Sequence, residues 1–208
     1  MDYIALFDLD GVILDTESDY TLFWNRIGEE YGKGQDFGIV IKGQTLVKIL
    51  NEHFPDEGDK ETITQAIMDY EKNMRYDFVP GAVQFIDSLK QQGIRTAVVT
   101  SSDLSKMANV YLRHPDFKEK FDHILTSEDF TQSKPSPECY TKGMNLFGCD
   151  PEHTVVFEDS VSGLRSGKAS GAVLVGLATT NPASVVAEYA DFVISDFIGH
   201  SFMEFIRP

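Results

Sequence analysis

The sequence has few basic residues, and this shortage limits the partners it can bind. Lysine and arginine total 18 against 33 aspartates and glutamates, which gives a formal net charge of -15 at pH 7. Such a surface repels the phosphates of nucleic acids, so we expect no nucleic-acid partner. It also repels anionic small molecules. A site that handled phosphate would therefore need its own local cation, either a metal ion or a lysine.

Cysteines and long apolar runs are also scarce. The two cysteines, Cys139 and Cys149, form no Cys-x-x-Cys motif and indicate no disulfide framework, which is typical of a reducing compartment. No apolar segment approaches the ~20 residues that cross a bilayer. The first residues lack the basic stretch and apolar run of a signal peptide. We therefore expect a cytoplasmic protein with no membrane partner.

Two common ligand-binding motifs are missing as well. The five histidines show no His-Glu-x-x-His or other metal-binding spacing. The segment 163–169 resembles a phosphate-binding P-loop, but its glycine spacing is one residue short. Ala169 also stands where that loop needs a Mg²⁺-binding hydroxyl. We interpret this segment as the interior of a helix.

The chain is organised around its first strand and the turn after it. Mostly apolar residues 3–7 predict a short buried strand, and Asp8 and Asp10 follow two positions apart. On extended backbone that spacing places both carboxylates on one side, and Gly11 then lets the chain turn. Two like charges this close disfavour joint ionisation, which suits a nucleophile beside a proton donor. The ordinary alternative is a pair that only solvates a strand end.

Residues 16–79 predict a block of helices inserted after the first strand. Apolar spacing favours helices over 17–31, from about 44 to 53, and over 60–76, with Thr16 and Asp19 resembling an N-cap and its partner. From Val79 onward, strands and helices alternate.

Continuous apolar strands in that second part predict a parallel sheet with helices on both faces. The predicted strands are 94–100, 123–126, 154–157, 173–176 and 192–194, and the predicted helices are 82–92, 103–113, 136–147, 160–171 and 198–206. Ser102, Ser136 and Ser160 are the expected N-caps. The fold class is thus α/β, with a Rossmann-like doubly wound parallel sheet as core and an inserted all-helical cap. Ligands bind such sheets at the carboxyl ends of the strands.

Polar residues follow several of these strands, at the same edge of the predicted sheet. They are Thr100, Ser101 and Ser102 after the second strand, Lys134 before a later helix, and Glu158 and Asp159 after the fourth strand. Each has an ordinary alternative, namely a helix cap, a solvated lysine, or acids at a helix N-terminus. Their joint arrangement is much less expected by chance than any one part.

Together these motifs resemble those of the haloacid dehalogenase superfamily of phosphotransferases. That family has Asp-x-Asp-Gly after the first strand, Thr or Ser after the second, a Lys before a later helix, and an acidic pair after the fourth. This chain has, in that order, Asp8-Leu-Asp10-Gly11, Val98-Val99-Thr100-Ser101, Lys134-Pro135-Ser136-Pro137 and Phe157-Glu158-Asp159-Ser160. The inserted helices resemble the cap of its β-phosphoglucomutase-like and phosphoglycolate-phosphatase-like branch. The resemblance implies a core domain of residues 1–15 and 80–208 and a cap domain of residues 16–79.

The resemblance also implies a catalytic pair and a cofactor. Asp8 would attack phosphorus and form an aspartyl phosphate, while Asp10 would protonate the leaving oxygen and later deprotonate the attacking water. Mg²⁺ would be held by the Asp8 carboxylate, the Asp10 backbone carbonyl and Asp159. Glu158 would be a ligand through water or a hydrogen-bond acceptor behind the ligands.

The same resemblance implies how the phosphoryl group would be bound. Thr100, the Ser101 amide and Gly11 would contact its oxygens. Lys134 would offset the charge between the phosphate and Asp8.

Three functions are open at this point. The first is a Mg²⁺-dependent phosphatase of a small phosphorylated metabolite, the second a sugar-phosphate mutase of the β-phosphoglucomutase type, and the third a phosphoacceptor module like a receiver domain. Receivers lack the Asp-x-Asp motif with an inserted cap, and that analogy rests on the fold alone. The pattern does not name the substrate or the oligomeric state.

Two positions in the cap favour the phosphatase over the mutase. The resembled mutase has a proton-linked histidine where this chain has Tyr20, and a phosphate-binding arginine where it has Leu46. Tyrosine, with an unperturbed pKa near ~10, does not readily take that role, and leucine offers no grip on a second phosphate. Lys42, Lys48 or Arg75 could stand in for the arginine.

Overall fold

The computed structural model describes residues 3–206, and a parallel β-sheet lies at its centre. The strands are β1 (Ile4–Phe7), β2 (Arg95–Val99), β3 (His123–Leu125), β4 (Thr154–Glu158), β5 (Val173–Leu177) and β6 (Phe192–Ile194). They lie side by side in the order β3-β2-β1-β4-β5-β6, and each neighbouring pair is parallel. The predicted α/β class with a doubly wound sheet is confirmed. The strand order reverses between β1 and β4, where such sheets bind ligands.

The strands are continuous apolar runs because both faces of the sheet are covered. Ala5 and Phe7 of β1 pack into one buried cluster, while Ile4 and Leu6 pack into another on the opposite face. The ring of Phe7 stacks on that of Phe157 in β4, with centroids 4.6 Å apart. Alternation along β1 thus divides its side chains between two cores, which fixes the register of the central strands.

The helices follow the strands in the predicted alternation, with short additional ones. They are α1 (Glu17–Glu30), α2 (Phe37–Val40), α3 (Leu46–His53), α4 (Glu57–Glu71), α5 (Ala82–Gln91), α6 (Leu104–Arg113), α7 (Glu138–Phe147), α8 (Val161–Ser170) and α9 (Ala183–Val186). The short helices α2 and α9 were not predicted, since four residues give too little periodicity to recognise. Of the predicted last helix, only the 3₁₀ turn Phe202–Glu204 forms.

Helices α1 to α4 form a block with a core of its own. Phe23, Trp24 and Ile27 of α1 pack against Ile63 and Ile67 of α4 in one buried cluster. This segment corresponds to the predicted cap. The division into a cap of residues 16–79 and a core of the remainder stays a proposal.

Several predicted helix ends are displaced, for local reasons. The side chain of Asp56 caps α4, which therefore begins earlier than predicted, and the helix stops at Glu71. Met74, predicted on the α4 stripe, packs instead with the sheet cluster. Asp103, not Ser102, caps α6 through a bond from the Lys106 amide.

Two other predicted caps also differ from the structure, and one is confirmed. Thr16 makes no side-chain cap bond to α1. The N-cap position of α7 is Pro137 rather than Ser136. Ser160 does cap α8, accepting a bond from the Gly163 amide at 3.0 Å. No helix within residues 3–206 has the length and apolar character needed to cross a membrane. The cytoplasmic location stays a prediction.

Candidate active site

The carboxyl ends of β1, β2 and β4 bring the predicted site residues to one edge of the sheet. Lys134 arrives there from the loop before α7, and its ammonium group joins the strands. Its Nζ lies 2.6 Å from Asp8 Oδ1 and 2.5 Å from Glu158 Oε1, and it donates to the Val99 carbonyl at 3.3 Å. Three chain segments far apart in sequence therefore meet at one buried ammonium group.

Because these side chains are buried, the charge of each strongly affects the pKa values of the others. Burial alone would lower the pKa of Lys134, but the carboxylates of Asp8 and Glu158 outweigh it and hold that pKa above its ordinary value. Burial raises the pKa of Asp8 to about 8, against the opposing charge of Lys134. Asp8 thus needs a nearby positive charge to be ionised at neutral pH, and Lys134 supplies part of it.

Glu158 is an acceptor whose oxygens are all engaged by protein donors. Besides Lys134, its Oε1 accepts from the Tyr140 hydroxyl at 2.8 Å. Its Oε2 accepts from the backbone amides of Asp159 and Ser160 at 3.0 and 3.2 Å. Of the two predicted roles for Glu158, this geometry favours the acceptor that holds other site residues in place.

Asp159 has the opposite character, because no donor holds its buried carboxylate with good geometry, although the Thr180 hydroxyl lies near enough to oppose the effect of burial on its pKa. Its side chain is 0% exposed, and neither carboxylate oxygen accepts a hydrogen bond of good geometry. Burial, together with the charges of Glu17, Glu158 and Asp8, raises its pKa well above the ordinary value. Such a carboxylate is costly unless a cation joins it.

A divalent cation fits this group of acids. Ligand oxygens of Asp8, Glu158 and Asp159 lie within 4.8 Å of one another, and all three residues are buried. Hard oxygen donors in small number are what Mg²⁺ takes from proteins, with waters and substrate filling the remaining positions. The unpartnered oxygens of Asp159 are the structural observation that supports a metal here.

Position 11 must be glycine, because any side chain there would collide with the Asp159 carboxylate. Its φ is +74°, and a Cβ there would lie 2.1 Å from Asp159 Oδ2. Its amide donates to the Leu14 carbonyl at 2.7 Å. The structure therefore does not support Gly11 as a phosphate-binding amide, and its contribution is the room it leaves for the acid.

Asp10, the second acid of the motif, is held by a different set of donors. The Thr16 hydroxyl donates to its Oδ1, and its Oδ2 accepts from the Ser102 hydroxyl at 3.0 Å and from Lys106 Nζ. Lys106 is only 4% exposed, and its ammonium lies 4.3 Å from the centre of the Tyr20 ring. Thr16 and Ser102, predicted as helix caps, are in fact partners of Asp10.

Lys106 is a site residue that the sequence did not single out. It lies on the buried side of α6 with Met107 and Val110, where a lysine is unusual unless paired. The sequence did contain a sign of this role, namely a lysine on the otherwise apolar face of a predicted helix.

Thr100 and Ser101 lie where a phosphoryl group is expected. Thr100 is buried, and its Oγ1 accepts from the Ser102 amide at 3.0 Å. The Ser101 hydroxyl donates to the carbonyl of Gly43, in the helical block, at 3.1 Å. Ser101 therefore touches both parts of the molecule, and its predicted role through the amide is compatible with this contact.

A cavity separates this sheet edge from the helical block. Asp8, Asp10, Thr100 and Asp159 lie on the sheet side, and its far wall is mostly apolar. The apolar wall consists of Trp24, Ile41, Leu46, Ile49, Ile67 and Met68. The cavity can therefore hold a small organic molecule with its polar group at the sheet and its carbon skeleton against the helices.

Known proteins are similar to this chain in sequence or in fold. A family model described as haloacid dehalogenase-like hydrolase matches residues 5–177. Validoxylamine A 7'-phosphate phosphatase of Streptomyces hygroscopicus subsp. limoneus is 28% identical over 93% of both chains. The phosphorylated carbohydrates phosphatase of Thermotoga maritima is 30% identical, over 80% of this chain and 81% of its own. The crystal structure of beta-phosphoglucomutase from Clostridium difficile superposes with a TM-score of 0.79 at 20% identity, covering 98% of this chain and 95% of that one.

Proposed function

The chain belongs to the haloacid dehalogenase-like hydrolases, and we propose that it is a Mg²⁺-dependent phosphatase of a small phosphorylated metabolite that works through an aspartyl phosphate. One observation carries the proposal. Asp8 is paired with a buried lysine at 2.6 Å and lies beside the unpartnered acid Asp159. This is the environment a carboxylate nucleophile needs to attack a phosphate dianion.

In this proposal the residues at the sheet edge carry the first half of the reaction. Asp8 attacks phosphorus in line, and Lys134 offsets the negative charge that gathers between nucleophile and phosphate. Thr100 and the Ser101 amide hold the phosphoryl oxygens. The carboxylates of Asp8 and Asp159 and the Asp10 carbonyl would hold Mg²⁺, which when bound neutralises and orients the phosphate.

Asp10 carries the proton transfers. It protonates the departing alkoxide, and in the second half it deprotonates the water that hydrolyses the aspartyl phosphate. Both of its oxygens are occupied by donors from Thr16, Ser102 and Lys106. One of these bonds must open before the carboxyl can reach the substrate.

The phosphatase activity is supported over a mutase by the helical block and by the relatives. The Tyr20 hydroxyl donates to Glu71 at 2.8 Å, and burial, followed by the charge of Asp10, raises its pKa well above its ordinary value. Tyr20 is thus no proton-linked switch at neutral pH. Leu46 lines the cavity where a mutase would bind a second phosphate. The two curated relatives named above are phosphatases by name, and the mutase named with them, at 20% identity, is a likeness of fold alone.

A screen of phosphorylated metabolites tests the proposal. With Mg²⁺ present, we expect inorganic phosphate to be released from at least one sugar or polyol phosphate, and EDTA should stop the release. Interconversion of β-glucose 1-phosphate and glucose 6-phosphate, primed by glucose 1,6-bisphosphate with slow phosphate release, would establish the mutase instead. A stable aspartyl phosphate without turnover would establish the phosphoacceptor module.

Lys106 gives a prediction about proton transfer. Replacing it by methionine removes the cation that fixes Asp10 while keeping much of the buried side-chain volume. We expect kcat/KM for alkyl phosphates to fall by about 10²-fold, because their leaving groups need a well-placed acid. The loss should be much smaller for p-nitrophenyl phosphate, whose leaving group departs without a proton.

The control for this prediction is Lys106→Arg, which keeps the positive charge and should retain most of the activity. Equal losses for alkyl and aryl phosphates in Lys106→Met would show that Lys106 only supports the fold.

A further inference from the structure

The cavity is also lined by charged side chains, and among them acids outnumber cations. Apart from Asp8 and Asp159, its charged lining residues are Asp10, Glu17, Glu71, Asp103, Lys42 and Lys106. Four acidic side chains thus line the cavity with two ammonium groups, and burial raises the pKa of Glu17 and Glu71. This count matters because the bound phosphate already brings negative charge into the same small space.

Both lysines that line the cavity are already paired. Lys42 Nζ lies 3.1 Å from Glu17 Oε2, and the two side chains are only 13% and 14% exposed. Lys106 is paired with Asp10 and is 4% exposed. Among the described residues that line the cavity, no cation is therefore available to a second anionic group of the substrate.

A second anion would be costly to bind in this cavity. A carboxylate or second phosphate would lose its water and would have to break the pair between Glu17 and Lys42 or remain unpaired. It would also lie close to an excess of carboxylates, where repulsion is strong because the wall is shielded from solvent.

Neutral hydroxyl groups meet no such obstacle. The Oε1 atom of Gln44 is buried at the cavity and accepts no hydrogen bond, so it offers an acceptor for a substrate hydroxyl. Trp24, Leu46 and Ile49 present apolar surface to the carbon skeleton. The Gln44 acceptor and the apolar wall together suit a polyol or a sugar.

We propose that this enzyme selects phosphate monoesters whose alcohol part is uncharged and bears hydroxyls, and rejects those with a second anionic group, because Glu17 holds Lys42 in an ion pair. The proposal rests on the phosphatase function proposed above and narrows it. It assigns Glu17 and Lys42 as residues that determine charge specificity.

Matched substrate pairs test this selection directly. Sorbitol 6-phosphate and 6-phosphogluconate differ only by a hydroxymethyl group against a carboxylate, and so do glycerol 3-phosphate and 3-phosphoglycerate. At a fixed free Mg²⁺ concentration, we expect kcat/KM to be at least ~10-fold higher for the neutral member of each pair. Equal or reversed values would overturn the proposal. Failure to release phosphate from any ester, including p-nitrophenyl phosphate, would instead overturn the phosphatase function.

Two variants with opposite effects identify the ion pair as the cause. Glu17→Gln frees Lys42, so the preference for the neutral member should shrink by at least ~5-fold. Lys42→Met removes the cation and leaves the acid, so the preference should widen. Each variant is measured at its own saturating Mg²⁺ concentration. The charge of Glu17 raises the pKa of Asp159, so its removal could change the affinity of the proposed metal site.

The control is Glu57→Gln, which breaks the pair between Glu57 and Lys60 outside the cavity. That pair spans 2.7 Å, and the Glu57 side chain is 85% exposed. The substrate preference of this variant should equal that of the wild type. An unchanged preference in both Glu17→Gln and Lys42→Met, with neutral esters still hydrolysed, would overturn the assignment of the two residues.

Discussion

Replacing Asp8 by asparagine is expected to abolish phosphate release, by at least ~10³-fold in kcat, because an amide cannot form an acyl phosphate. The fold should survive the change. Asparagine has nearly the same shape, and Lys134 keeps its second partner, the Glu158 carboxylate at 2.5 Å. The variant also removes one negative charge from a buried group of three acids that has only one lysine. Loss of activity would therefore report chemistry rather than unfolding.

The matched control is Asp15→Asn, at an exposed residue shortly after the motif in the chain. It should retain full activity. With a labelled phosphate ester, the wild type should carry a hydroxylamine-sensitive label on the peptide that contains Asp8, and the variant should carry none. Hydrolysis by Asp8→Asn above a thousandth of the wild-type rate, with contaminating phosphatases excluded, would rule out Asp8 as the nucleophile.

The part of the site that could be predicted depends on one geometric rule. The carboxyl ends of parallel strands share an edge, so residues that follow different strands must meet there. Lys134 and Asp8 are 126 positions apart in the chain, yet their side chains lie 2.6 Å apart. The rule needs only the order of strands and the residues after them, both of which can be recognised in the sequence.

The hydrogen-bond partners of Asp10 could not be predicted, because they depend on contacts between residues that are far apart in the sequence. A hydroxyl just before a helix can cap that helix or bond a distant acceptor, and local sequence favours the cap. Thr16 and Ser102 bond Asp10 instead. Lys106, the third residue after the N-cap Asp103, reaches the same carboxylate, and its pairing depends on how α6 packs against the sheet.

In the helical block, too, the residues that we propose to determine substrate specificity could not be predicted from the sequence. The pair between Glu17 and Lys42 joins the start of α1 to the loop before α3, and no periodic pattern links these two positions. The spacing of apolar residues predicts that a helix forms. Which side chains meet across a cavity depends instead on the angles at which the helices pack. The sequence therefore predicts the edge of the sheet at which we propose that a substrate binds, and the structure was needed to infer what kind of substrate fits.

Replacing Asp159 by asparagine is expected to have opposite effects on activity and on stability. Without metal, Asp159 is a buried acid with no hydrogen bond of good geometry, beside Asp8 and Glu158. Removing this acid should stabilise the metal-free fold by about 1–3 kcal/mol, since a buried acid whose pKa is raised by folding destabilises the fold at neutral pH. The same change removes an anionic oxygen that a hard cation prefers. Mg²⁺-dependent phosphate release should therefore fall by at least ~10²-fold.

Thermal unfolding with and without Mg²⁺ measures both effects in one experiment. In EDTA, Asp159→Asn should melt at a higher temperature than the wild type. In saturating Mg²⁺ the wild type should gain stability, since the ion binds only the folded state, and the variant should not. Asp150→Asn, at an exposed residue whose side chain caps nothing, should follow the wild type in both conditions. A variant that still gains stability from Mg²⁺ and retains wild-type activity would remove Asp159 from the proposed metal site. The reversal of the stability order by Mg²⁺ is specific to a metal ligand, because a residue that only packs the core would shift both melting curves alike.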